Sequence, residues 1–65
     1  MYRVRMDLHR STWNWFVTNP HGGGFGSNHC GTKRHALANA LRGVPVGAQY
    51  QIVTNGKEGP IQIRQ

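Results

Sequence analysis

Acid is what this sequence has least of. Asp7 and Glu58 are the only carboxylate side chains in 65 residues, so chemistry that needs a pair of carboxylates as general acid and base has almost no material to work with. Cys30 is the single cysteine, which excludes a disulfide within the chain. Stability must then come from packing or from oligomerisation, and the expected compartment is a reducing cytoplasm. No run approaches the roughly 18 apolar residues of a membrane span. The opening Met1-Tyr2-Arg3-Val4-Arg5 alternates in polarity, unlike a signal peptide. No membrane partner is therefore expected.

What is present points to one small domain, residues 1–65. The hydrophobic fraction of 37% and the aromatic fraction of 9% suffice for one thin core and are too high for a disordered tail. A chain of this size buries only about 60% of its unfolded surface. Eight Lys and Arg give a formal charge of +6, beside four His, a residue type that gains charge below neutral pH. A surplus of that kind favours polyanions or acidic protein surfaces and speeds encounter with them.

The polarity pattern yields a coarse element order. Tyr2, Val4, Met6 and Leu8 alternate with Arg3, Arg5, Asp7 and His9, the period of a half-buried strand. Trp13 to Thr18 reads as a second strand, with Trp13, Trp15 and Val17 inward and Asn14, Phe16 and Thr18 outward; the short polar link favours a hairpin. Asn19 to Gly24 is a turn by composition, and a short third strand follows at Phe25 to His29. Thr32 can cap a helix over Lys33 to Arg42, which Gly43 closes and Pro45 blocks. Ala36, Leu37, Ala40 and Leu41 form its apolar stripe, with Val44 just beyond; His35, Asn39 and Arg42 lie opposite. Tyr50 to Thr54 is a strand, Asn55 to Gly59 a hairpin loop, and Ile61 to Arg64 the last strand, with Ile61 and Ile63 inward. The expected fold is α+β: an antiparallel sheet of four to five strands with one α-helix packed on one face, ββ(β)αββ.

Several local patterns resemble a small bacterial and phage family catalogued only as a domain of unknown function. They are the opening Tyr2-x-Val4, the strand residues Trp15, Phe16 and Val17, the Ala-rich helix (Ala36, Leu37, Ala40), and the closing Gly56-Lys57-Glu58-Gly59-x-Ile61. The likeness covers nearly the whole chain, but the Gly22 to Gly26 stretch and Pro60 depart from it. It implies the fold order and no activity or site residue. More loosely, Trp13 to Gly43 is similar to the sheet-plus-helix arm-binding domains of phage integrases, which lay a three-stranded sheet into DNA. That is an analogy of fold, and fold does not fix function.

Chemistry-bearing constellations are few. Cys30 follows His29, but neighbours in a strand point to opposite faces, so a nucleophile–base pair is not expected and the chain reads as a non-enzyme. His21, His29, Cys30 and His35 fall close together in sequence, yet their spacing matches no zinc pattern; neither a metal nor any other cofactor is expected. Gly22-Gly23-Gly24-Phe25-Gly26 lacks the ending of a phosphate-binding loop and reads as a flexible tip. Two features stand out instead. Lys33 and Arg34, with His35, occupy a helix start that has no acid, where partial positive charge and free N–H groups favour an anion. The sheet face away from the helix would carry Arg3, Arg5, His9, Asn14, Phe16, Thr18, Gln51, Val53, Gln62 and Arg64. Its cations and amides suit phosphates and base edges, and Phe16 suits stacking.

The expected function is that of a small accessory protein, of phage or mobile-element type, that binds nucleic acid, DNA sooner than RNA. Arg3, Arg5, Arg64 and Phe16 would act from the sheet, and Lys33, Arg34, His35 and Arg42 from the helix. The alternative is a phage-type protein that binds and inhibits a host protein with an acidic surface. A homodimer that pairs sheet edges or faces is a third possibility.

Overall fold

A computed structural model describes the backbone of residues 1–65 and every side chain except those of Asn28, His29 and Cys30. The elements are β1 (Tyr2–His9), β2 (Thr12–Thr18), β3 (Gly24–Cys30), α1 (Lys33–Leu41), β4 (Gln49–Thr54) and β5 (Lys57–Ile63). The strands form one sheet in the order β3-β2-β1-β4-β5, and the helix lies against β1, β2 and β3. The α+β class and the single helix between strands are as expected. The sheet, however, is mixed rather than antiparallel, because β1 and β4 run parallel. Direction explains this: the β1-β2-β3 meander leaves β3 pointing the same way as β1. The helix carries the chain back, so β4 starts in that direction again and joins the free edge of β1.

Alternation along β1 and β2 sorts the core as the sequence suggests. Val4, Met6, Trp15 and Val17 are buried against Ala36 and Ala40 of α1, with Val44 and Tyr50 completing the cluster. Trp13, Leu37, Leu41 and Ile52 pack around it. The two buried alanines bring the helix backbone close to the sheet. Thr32 caps the helix start, its Oγ1 accepting from the His35 N–H at 3.1 Å. The helix ends at Leu41, one residue before the sequence expectation, and the Gly43 and Val44 N–H groups tighten its exit by donating to Ala40 and Leu41.

Both tight hairpins use left-handed backbone. Arg10 and Ser11 have φ of 49° and 66°, and Asn55 and Gly56 have 50° and 82°, the pattern of turns whose twist matches that of the flanking strands. Asn55 also ties the second hairpin to β1: its Oδ1 accepts from the Leu8 N–H at 2.8 Å. Asn55→Ala is expected to cost about 1–2 kcal/mol, from the lost acceptor and the poorer fit of alanine to positive φ. A urea titration followed by circular dichroism measures it; a cost near zero would show that the turn does not depend on Asn55.

The last strand departs most from expectation. It begins at Lys57, directly after the turn, and carries a bulge: Val53 pairs with Glu58, whereas Gln51 pairs with Ile61. One extra residue on β5 at Gly59-Pro60 reverses the alternation, and a proline fits at such a place on an edge strand because it has no N–H to donate. Ile61 and Ile63 therefore lie on the face away from the helix, 58% and 51% exposed, not inward. Gln62 turns to the helix side, where its Oε1 accepts from the Tyr50 hydroxyl at 3.1 Å.

Candidate functional site

The uncovered sheet face gathers Arg3 and Arg5 of β1 beside Phe16 and Thr18 of β2 and Val53 of β4. Phe16 is 46% exposed, and its ring lies over the edge strand. A Cβ added at Gly24 would stand 2.7 Å from the ring, and one at Gly26 would stand 2.8 Å from it. These glycines are thus part of β3 under an aromatic side chain, not a flexible tip. The tip is the Asn19–Gly23 turn, where Asn19 Oδ1 accepts from the His21 and Gly23 N–H groups. A shallow hollow of about 420 Å³ opens between Arg5, Asp7, Asn14, Phe16 and Gly26.

Charge on this face cancels. Arg3 meets Glu58 at 3.1 Å, and Arg5 meets Asp7 at 2.9 Å. Arg3, Arg5 and Glu58 are well exposed and Asp7 is partly so, so each pair contributes only about 0–1 kcal/mol. Its effect on the field is larger, because the only two carboxylate side chains of the sequence sit beside two of the arginines expected to hold phosphate. The third, Arg64, is not on this face at all. Its Nε donates to the Leu41 carbonyl oxygen at 3.2 Å, a helix-end carbonyl that also accepts from the Val44 N–H, and a cation suits the negative end of the helix dipole. The bulge in β5, which the sequence pattern does not reveal, is what sends Arg64 there.

The remaining cations lie elsewhere. Among the described residues, Arg10, Lys33, Arg34, Arg42, Lys57 and Arg64 have no Asp or Glu partner, and these six account for the whole formal charge of +6. Arg10 is in the first tight hairpin, and register puts Lys57 opposite Thr54, on the helix side. On α1, Thr32, Arg34, His35, Asn39 and Arg42 border an open groove of about 400 Å³ along its exposed side. Arg34 and Arg42 are two turns apart, about 12 Å along the axis at 1.5 Å per residue. Lys33 is tethered nearby, its Nζ 5.7 Å from the centre of the Trp13 ring, within reach of a cation–π attraction. The first turn holds no acid.

The histidine and cysteine set resolves only in part. His21 lies in the Asn19–Gly23 turn and His35 in the first turn of α1, both exposed, while the side chains of His29 and Cys30 lie outside the described residues. Among the described residues no cluster of three His, Cys, Asp or Glu could hold a metal, and no helix is long and apolar enough to cross a membrane.

Fold and site together define a small five-stranded sheet with a neutral open face and a cationic helix side. No family model matches the chain, and no curated protein or solved structure matches it either.

Proposed function

We propose that this chain is a non-enzymatic nucleic-acid-binding protein that grips phosphates with the exposed side of α1. The observation that carries this reading is the division of charge: the open sheet face is balanced, and every cation without an Asp or Glu partner lies off it. Three of those cations, Lys33, Arg34 and Arg42, stand on or directly beyond a nine-residue helix with no acid. Arg34 and Arg42 span about 12 Å, some three to four base-pair steps of about 3.4 Å, so they can meet separate phosphates of one strand. Contacts of this type position a protein on the backbone without reading sequence. Duplex DNA is put ahead of RNA in this reading, and an accessory protein of phage or mobile-element type in the cytoplasm is the setting this activity fits.

Salt dependence tests it. Three phosphate contacts imply a slope of about −2.7 in a double-logarithmic plot of affinity against salt. Raising salt from about 50 to about 200 mM should then weaken binding of a labelled mixed-sequence duplex roughly fortyfold, measured by fluorescence anisotropy. No binding of DNA or RNA at the lower salt would sink the proposal. The cationic helix side would then be matched to an acidic protein surface, as an inhibitor of a host protein would use it.

A further inference from the structure

We infer that the uncovered sheet face joins two copies of this chain. The inference is independent of nucleic-acid binding, because it concerns the opposite side of the sheet. The helix covers one face only, and the other leaves Phe16, Ile61 and Ile63 about half exposed. Val53 is buried beneath the arginines of β1, and the Phe16 ring lies down over Gly24 and Gly26 instead of standing out. The result is a broad face that combines these apolar side chains with the two ion pairs, Arg3–Glu58 and Arg5–Asp7, and that can pack against another sheet at about 10 Å.

Charge selects the occupant. A chain of formal charge +6 repels its own copies wherever unpartnered cations face each other. The open face is the one side on which the cations are balanced, since Arg3 and Arg5 sit beside Glu58 and Asp7. It is also self-complementary. In a two-fold contact, residue i of one copy meets residue j of the other and the reverse, so the arginines of one β1 can face the carboxylates of the other copy. The existing pairs are exposed and exchange partners at little cost. An acidic partner would find this face neutral and the helix side cationic, so it would be drawn to the helix; the sheet face is left to a copy of itself.

The area suits a weak dimer. Five strands about 4.8 Å apart and some seven residues long at about 3.3 Å each present roughly 24 by 23 Å. Two such faces bury roughly 1,100 Å², slightly above the ~1,000 Å² that a specific interface needs. A Kd of about micromolar order is the expectation for so small a contact.

Sedimentation equilibrium reads the outcome. At roughly 100 μM, well above a micromolar Kd, the chain should sediment at twice its 7.3 kDa mass. Ile61→Ser/Ile63→Ser changes exposed side chains without altering charge. It should keep the circular dichroism spectrum and raise the concentration needed for dimerisation by more than about tenfold. Arg34→Gln/Arg42→Gln, on the helix side, should leave the dimer intact. A wild-type chain still at 7.3 kDa near ~1 mM, a thousandfold above that Kd, overturns the inference. So does a serine variant that dimerises as the wild type does.

Discussion

Met6→Ala is expected to remove most of the stability of this protein. Met6 has no exposed surface. It lies on the central strand β1, in register with Trp15 on one side and Thr54 on the other, beneath the alanines of α1. Truncating a buried Met costs about 2–5 kcal/mol, because the lost transfer energy adds to the cavity left behind. A domain of this length has roughly 3–10 kcal/mol in total. Each kcal/mol lowers Tm by about 4–8 °C at this size, so a fall of at least about 10 °C is the expected result in a thermal melt. Leu8→Ala on the same strand is the comparison. Leu8 is 50% exposed, and its loss should stay near or below about 1 kcal/mol. Equal shifts for the two variants would show that β1 does not divide between core and solvent as described.

The same contrast shows how far the sequence speaks for itself. Local periodicity reports one strand or one helix at a time, and it served where pairing was regular. Val4 and Met6 inward, Arg3 and Arg5 outward, Trp15 inward and Phe16 outward all follow from the alternation along β1 and β2, as does the stripe of Ala36 and Ala40 on α1. The parallel pairing of β1 with β4 was within reach too, since three strands and a returning helix fix the direction of the fourth strand. What period alone does not give is a break in the period. The bulge at Gly59-Pro60 moves Ile61 and Ile63 to the open face and Gln62 and Arg64 to the helix side; the proline was its one visible trace. Gly24 and Gly26 mislead in the opposite sense. Their lack of side chains suggests a loose tip, but it makes room for the Phe16 ring from the neighbouring strand. Ion pairing was least legible of all, because Arg3 and Glu58 are 55 residues apart and meet only through β4 and β5.

That pairing recasts the candidate site. The sequence offered two cationic groups on different surfaces, the sheet arginines and the helix start, so that a single duplex would touch only one of them. The fold assigns the chain's two acids to the first group and leaves the second uncompensated. The two faces can then serve different ends: self-association through the neutral sheet, and phosphate contact through α1. A dimer joined by its sheets would present its two helices on opposite outer sides, which suits holding two separate stretches of nucleic acid better than gripping one.

Arg34→Gln/Arg42→Gln should flatten the salt dependence of DNA binding by about two units of slope, one for each phosphate contact removed. It should also weaken affinity by more than about tenfold at about 50 mM salt, with little regard to base sequence. Because the substitution also lowers the net charge, location and total charge must be separated. Arg10→Gln/Lys57→Gln removes the same charge from the two hairpins, and anisotropy titrations of both variants against one duplex make the comparison. If the helix grips the phosphates, the hairpin variant keeps most of the slope, since long-range attraction between exposed charges is largely screened beyond about 10 Å in 0.1 M salt. A third variant, Arg3→Gln/Glu58→Gln, leaves the net charge untouched and should bind as the wild type does. Equal losses in the helix and hairpin variants would mean that total charge governs binding and would remove the assignment to α1. A loss confined to the Arg3/Glu58 variant would return the site to the open sheet face, with exchange of exposed ion pairs as the step that frees its arginines.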